Sequence, residues 1–455
     1  MIYNFGTNCL QRTRCPRERS RRTVKKEIQT DRIVRGSICM RAPLNRQVAV
    51  TGIGVVTPGG VGVVDFWSSL FRDMPPSAVR RVAHDTLNAR RVMTHKTAKN
   101  SDINVRFAIV AADEALRDAG LLDVGAQPDD ASDVSMLADF VDRDRAAVSI
   151  GTGIGGIQTY SMQADVLREK GERFVSPHTV PMVMPNAAAG ALSIRFGLRG
   201  AALTTATACA AGTDAIAAGA RLIAHGTADL VIAGGTDSSL SPVSLAGFAN
   251  MRALSKSGIS RPFDRDRDGL AASEACGILI LEPYDAAVAR GARIYMTIDG
   301  AASTSDAHHI TAPAPHGTGA ERTMRLALND AGIAPEEIVH VNAHGTSTGL
   351  NDAAEGEALQ RVFGTTRPVV TSIKGVTGHS FGAAGAVEAV AVALGFEKAM
   401  VPPTIGLVNQ DETIDIDIAT TPRPLPRGPV MSNSFGFGGH NGSIIFGPPP
   451  ITVAY

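Results

Sequence analysis

Three side chains suited to covalent and acid–base chemistry stand where a chain of alternating strands and helices must turn: Cys209, His344 and His379. Leu203-Thr-Thr-Ala-Thr-Ala-Cys209 is short, β-branched and extended, and Ala210 to Ala224 behind it is alanine-rich, with Ile216, Leu222 and Ile223 as apolar anchors. The cysteine therefore falls where a strand gives way to a helix. A thiol there faces unpaired backbone N–H groups and the positive end of the helix dipole, which favour a thiolate nucleophile, and the same amides can hold a thioester oxyanion. Most buried cysteines are inert small hydrophobes, so this stretch alone leaves nucleophile and core filler equally open.

The histidines shift that balance. Val341-Asn-Ala-His344-Gly-Thr-Ser-Thr348 puts one at a strand end, and Lys374-Gly-Val-Thr-Gly-His379 puts the other in a glycine-bearing turn shortly after a lysine. Strand ends and turns are where α/β folds place chemistry. A lone histidine is more often an ordinary hydrogen-bonded residue; a cysteine with two of them is the set a nucleophile and its acid–base partners require.

Two other motifs compete. Gly378-His-Ser380-Phe-Gly382 matches the GxSxG elbow of serine hydrolases and acyltransferases, but an elbow needs a strand running straight into it, and Lys374-Gly-Val-Thr intervenes after Ile373. Gly151-Thr-Gly-Ile-Gly-Gly156 fits GxGxxG, yet the acid that should end a second strand is missing, since Glu172 precedes the next apolar run. Neither a catalytic Ser380 nor a dinucleotide site is expected.

The elements that must hold these residues are legible as short apolar runs: Val48 to Val50, Ala147 to Ile150, Leu230 to Ala233, Ile278 to Leu281, Val339 to Val341, and Val369 to Ile373. Alanine-rich helical stretches separate them, which implies an α/β sandwich. Ala115-Leu-Arg-Asp-Ala-Gly-Leu121 echoes Ala327-Leu-Asn-Asp-Ala-Gly-Ile333, each ending a helix at glycine. Two similar α/β halves are expected, residues 47–292 with the cysteine and 293–448 with both histidines, followed by a short tail at 449–455. Residues 1–46 are rich in arginine and lysine, poor in acids and without periodicity, and are expected to be a disordered leader. An organelle transit peptide and an extension ahead of a start near Met40 both fit, the second more simply.

Composition narrows the class. The 455 residues are 44% hydrophobic, ample for a core, and Lys plus Arg equals Asp plus Glu at 44 each. That balance gives no overall field to draw nucleic acid or an anionic membrane. No apolar run is long enough to span a bilayer and the N-terminus lacks a secretory signal, so a cytoplasmic protein is expected. Of five cysteines only Cys209 and Cys276 lie in the body, with no CxxC pair, so neither a disulfide framework nor a metal site is expected.

Taken together, Thr207-Ala-Cys209, Asn342-Ala-His-Gly-Thr-Ser-Thr348, Lys374 with Gly378-His379, and Asn433-Ser-Phe-Gly-Phe-Gly-Gly-His-Asn441 resemble the β-ketoacyl-[acyl-carrier-protein] synthases, the elongating type II enzymes most of all. The resemblance runs from Gln47 to Gly447 with its motifs in order, Ser260-Arg-Pro-Phe-Asp264 and Ser305-Asp-Ala-His-His309 included. It implies a thiolase-like fold, two βαβαβαββ halves in a five-layered αβαβα sandwich, and a homodimer. It also implies that Cys209 takes an acyl group from acyl carrier protein, that malonyl carrier protein loses CO2, and that the carbanion attacks the thioester to give a 3-oxoacyl product two carbons longer. No cofactor is bound; 4′-phosphopantetheine arrives on the carrier.

By the same resemblance, N–H groups of His344 and His379 stabilise the decarboxylation oxyanion, and the amides of Cys209 and Phe435 hold that of the acyl thioester. The Phe435 ring gates the malonyl side. Lys374 supplies positive potential, paired with Glu388 or Glu355, with Asp352 in the supporting shell. Thr346 and Thr348 bind the pantetheine arm, Thr311 is a further substrate-binding residue, and Ile154 and Phe248 line the acyl pocket. Departures bear on substrate range: Gly349, Ser273-Glu-Ala-Cys-Gly277, His440, and about a dozen extra residues ahead of Asp142. The alternatives are a ketosynthase for a specialised polyketide or polyene, and a non-catalytic chain-length partner, against which the intact cysteine and histidines speak.

Overall fold

The computed structural model describes residues 46–83, 87, 92–122 and 137–449. The expected leader apart from Arg46, nearly all of the C-terminal tail and most of the extra segment ahead of Asp142 lie outside these residues.

Ten strands carry the architecture. In chain order they are β1 (Val48–Thr57), β2 (Ala146–Gly151), β3 (Ala202–Thr205), β4 (Leu230–Asp237), β5 (Ala275–Pro283), β6 (Met296–Ser305), β7 (His340–Asn342), β8 (Val369–Thr371), β9 (Val430–Gly436) and β10 (His440–Gly447). Six helices join them: α1 (Ile103–Asp118), α2 (Ala187–Phe196), α3 (Ala211–Ala224), α4 (Thr318–Ala331), α5 (Gly349–Phe363) and α6 (Ala384–Lys398). The strands pair in the order β8-β7-β9-β10-β6-β1-β5-β4-β2-β3, with Gly60–Val61 folded back on β1.

The duplication is explicit in this order. Numbered within its own half, each set of five strands runs first, fifth, fourth, second, third. The senses agree as well: β2 is parallel to β3 and β4, as β7 is to β8 and β9, and the last two strands of each half run antiparallel. Each half is therefore βαβαβαββ, and the two join where Val48–Val50 of β1 pairs with Met296–Ile298 of β6.

Helix placement follows from which faces are apolar. In α6 every residue from Ala384 to Gly395 is buried, and α3 buries nine of its 14 residues. A helix apolar all round belongs inside, and α3 and α6 form the middle layer, packed on each other and on strands of both halves. Helices α1 and α2 cover the outer face of the first half, and α4 with α5 that of the second. This is the five-layered, thiolase-like sandwich.

Every apolar run read as a strand coincides with one, although the strand begun at Val369 stops at Thr371, two residues short of Ile373. Three strands the runs did not announce are β6, β9 and β10, whose Gly, Ala, Ser, Thr and Asn residues break the apolar pattern.

Candidate active site

The two central helices begin alike. Ala208 takes a left-handed φ of 50° and a single turn, Ala208–Ala210, leads into α3; Phe381 takes a φ of 47° and a single turn, Phe381–Ala383, leads into α6. Left-handed backbone at a residue with a Cβ is strained, and such strain concentrates at functional sites. The first turn presents Cys209 and the second follows His379, so duplication brings the two together across the middle layer. His379 Nε2 lies 3.1 Å from Cys209 Sγ. The ring is held through its own backbone, its N–H donating to Ala271 O at 2.7 Å and its carbonyl accepting from Ser273 N at 2.9 Å.

His344 arrives from the end of β7. Its backbone N–H and that of Gly345 both donate to Glu355, each at 2.8 Å, which fixes the turn. Asp352 does the same one step on, accepting from Ser347 N at 3.1 Å and Phe263 N at 2.8 Å. The two imidazoles stand edge to face with centroids 5.2 Å apart, and ligand atoms of Cys209, His344 and His379 all fall within 4.8 Å of one another.

Lys374 sits behind them, fully buried and ion-paired with Glu388, its Nζ 3.4 Å from His344 Nδ1. Of the two acids expected to pair with it, Glu388 does so; Glu355 is spent on backbone amides.

Electrostatics depart from the sequence expectation at Cys209. The helix N-terminus and nearby amides do favour a thiolate, but burial dominates and pushes the thiol up to about 12, against the pull of Lys374 and of two backbone N–H groups. The resting nucleophile is a neutral thiol. Burial, joined by Lys374, drives His344 and His379 well below the ordinary imidazole range, so both rings are neutral too. A neutral thiol 3.1 Å from a neutral imidazole is arranged to lose its proton during attack rather than before it.

The oxyanion assignment needs correcting. The amides that face Cys209 Sγ are its own and that of Phe437. Phe435 is still inside β9, paired with Asn441 of β10, and its backbone contact in the site is with the His344 imidazole, whose protonated form it favours. In Phe435-Gly-Phe437-Gly-Gly the strand ends after the first phenylalanine, and only the second, in the turn Phe437–Gly439, has its N–H free to turn inward. Phe437 is also the exposed ring at the mouth, while Phe435 lies edge-on to His344 with centroids 5.9 Å apart.

Above the trio opens a cavity of about 460 Å³, large enough for an extended thioester arm. Thr311, Thr346, Thr348 and Phe248 line it. The hydroxyls of Thr346 and Thr348 lie 2.9 Å apart, ready to present polar partners to an amide-bearing chain. Ile154 does not line it in this chain; it is 47% exposed on the loop after β2. Phe381, read only as part of the serine decoy, stacks on Phe248 at 4.7 Å and forms the cavity wall beside His379.

Both decoys fail for visible reasons. The strained residue of Gly378–Gly382 is Phe381 rather than Ser380, and Ser380 is not on the cavity wall. In the glycine loop, the buried carboxylate of Asp237 accepts from Gly153 N at 2.7 Å, so the protein's own acid occupies the place a pyrophosphate would need.

Comparison with known proteins agrees with this geometry. Residues 83–287 match the family described as Beta-ketoacyl synthase, N-terminal domain, and residues 295–408 match Beta-ketoacyl synthase, C-terminal domain. The chain is 40% identical over 421 residues to 3-oxoacyl-[acyl-carrier-protein] synthase 2 of Synechocystis sp., covering 88% of this chain and 98% of the relative. Among solved structures, a beta-ketoacyl synthase from Burkholderia phymatum STM815 superposes with a TM-score of 0.77 at 30% identity, covering 89% of this chain and 99% of the other. A chain of the AntDE:AntF structure, a type II PKS acyl-carrier protein in complex with its ketosynthase, gives 0.76 at 30% identity, with the same coverage of both chains. With two family matches spanning both halves and a cysteine set between two histidines at their junction, this chain belongs to the beta-ketoacyl synthase family.

Proposed function

We propose that the protein is a condensing acyltransferase of fatty-acid elongation, joining an acyl group held on Cys209 to a two-carbon unit from malonyl-acyl carrier protein. The observation that carries this reading is the 3.1 Å contact of Cys209 Sγ with His379 Nε2 at the foot of a thioester-sized cavity. In the first step Sγ attacks the acyl thioester carbonyl as its proton passes to His379, the amides of Cys209 and Phe437 bear the oxyanion, and the carrier's pantetheine thiol leaves with a proton. In the second, malonyl carrier protein loses CO2 and the enolate forms against N–H donors on the neutral imidazoles. The enolate carbon then attacks the Cys209 thioester, expelling Sγ as a thiolate that takes up one proton from solvent to regain the resting thiol, and releasing a 3-oxoacyl thioester on the carrier.

Acyl carrier protein as partner is supported by the ketosynthase relative held in complex with one. The pantetheine arm brings its own thiol, so the protein's residues need only bind, orient and exchange protons. A homodimer is supported by β3, an edge strand whose Leu203 is exposed, as is Ile194 on α2, the helix packed against it. A cytoplasmic site accords with free Cys209 and Cys276 and with the absence, among the described residues, of any helix long and apolar enough to cross a membrane. The test is condensation of acyl-carrier thioesters of graded length with malonyl carrier protein, following CO2 and 3-oxoacyl product. Growth of fatty acyl thioesters is expected; activity confined to a polyketide intermediate would assign the protein to the specialised branch instead.

A further inference from the structure

The segment from Lys374 to His379 has one catalytic partner at each end, and what holds its middle is a buried arginine far away in sequence. Arg80 is 6% exposed. Its Nη1 donates to Gly375 O at 2.8 Å and to Val376 O at 2.5 Å. Those carbonyls close the single helical turn Lys374–Thr377, where a helix end leaves acceptors without partners. The backbone makes a second attachment. Val79–Arg80 pairs in parallel with Ala272–Ser273, and Ala272 in turn bridges His379.

The charge of Arg80 is unusual in its surroundings. Three lysine or arginine residues are buried as a whole among the described residues: Lys374, which pairs with Glu388; Arg195, which has Asp113 at 3.9 Å; and Arg80; the side chain of Arg267 is also covered, and it pairs with Asp411. The described residues give Arg80 no carboxylate, and its Nε has no hydrogen-bond partner. Burial alone lowers it to about 10, so it stays charged at neutral pH. A buried cation that spends its hydrogen bonds on two carbonyls of one turn is costly as a core filler, since an apolar side chain would fill the space without desolvating a charge.

We infer that Arg80 is a positioning residue: it clamps the Lys374–Thr377 turn so that Lys374 meets His344 and His379 meets Cys209 in one fixed geometry. This rests on the condensation reading for its consequence in catalysis, while the clamp itself concerns only the contact between His379 and the cysteine.

The experiment compares wild type with Arg80→Met, Arg80→Gln and Arg80→Lys on the full chain. It follows iodoacetamide alkylation of Cys209 at pH 8 and CO2 release from malonyl carrier protein, each normalised to titrated Cys209 thiol. Displacing a catalytic group by about an ångström costs on the order of a hundredfold, so Arg80→Met is expected to slow CO2 release roughly tenfold to a hundredfold and alkylation several-fold. KM for malonyl carrier protein should stay near wild type. Arg80→Lys, which restores a cation and donors, should return both rates to within about fivefold. Arg80→Gln, with a donor for one carbonyl, should lie between and serves if the methionine variant does not fold. A folded Arg80→Met or Arg80→Gln protein with both rates within about twofold of wild type, whatever its melting temperature, would overturn the clamp and leave Arg80 a purely structural residue. Wild type that releases no CO2 would instead overturn the condensation reading, and the alkylation series would still decide the clamp.

Discussion

Gly436 shows how closely the oxyanion amides are fitted. A Cβ built there would stand 2.9 Å from Cys209 N and 3.1 Å from Thr207 O, although its φ of −115° suits any residue. Gly436→Ala should therefore move the Phe437 amide off the sulfur without straining its own backbone. We expect Cys209 acylation to slow by about 10²-fold, the scale of one lost oxyanion donor, with the melting temperature changed by only a few degrees; stopped-flow acyl transfer checks it. The buried Lys374–Glu388 pair makes a different prediction. Removing one partner strands a buried charge, so Glu388→Gln should cost about 3 kcal/mol, and Lys374→Met added to it should recover part of that loss in urea unfolding. Both residues were visible in sequence as a lysine five places before a histidine and an acid on the following helix. The state of the nucleophile was not. A local argument saw the helix N-terminus, whereas burial is a property of the whole core and decides the outcome. The same limit produced the exchange of Phe435 for Phe437: the motif repeats Phe-Gly, and only the point where pairing with β10 stops tells the two apart.

Among the elements, β7 carries a second consequence of burial. His340 is fully buried, with Nε2 2.8 Å from Thr371 Oγ1 on β8, and burial lowers it to about 3. The unfolded chain takes up this proton below its ordinary value near 6.5, while the folded one does not until about 3. Stability supplied by the neutral ring is thus present above that ordinary value and is lost as pH falls toward 3. The slope is about 1.4 kcal/mol per pH unit for one such group. His340→Gln, compared with wild type by urea unfolding at pH 7 and pH 5, should lose about 2 kcal/mol less over that interval; equal losses would contradict the assignment. The strands themselves were readable where they are Val- and Ile-rich, as in β2, β4 and β5. They were unreadable where burial is achieved with small and polar residues, as in β9, which buries Ser432 and Ser434 on the side of the central helices, Ser434 against Thr213 of α3, and Asn433 on the other side against Met324 of α4.

At the scale of the whole molecule, duplication explains the division of labour. Both halves aim a strained turn and a central helix at the same point, the first keeping a cysteine there while the second supplies the histidines. The single seven-residue echo was enough to predict two halves, because it fell at the same place in each. It could not predict Arg80, whose partners lie nearly three hundred residues away. If β3 is that covered edge, the native particle should sediment at about twice 47.4 kDa, and Leu203→Asp should shift it toward a single chain; a monomeric wild type would contradict the homodimer. The central claim, that Cys209 carries the growing acyl group, is tested most directly by intact-protein mass spectrometry after incubation with acyl-acyl carrier protein, followed by a chase with malonyl carrier protein. Wild type should gain one acyl mass on the Cys209 peptide and lose it in the chase as 3-oxoacyl product appears, while Cys209→Ala should gain none and yield no 3-oxoacyl product. An acyl adduct on any other residue, or product formed by Cys209→Ala at the wild-type rate, would contradict the account.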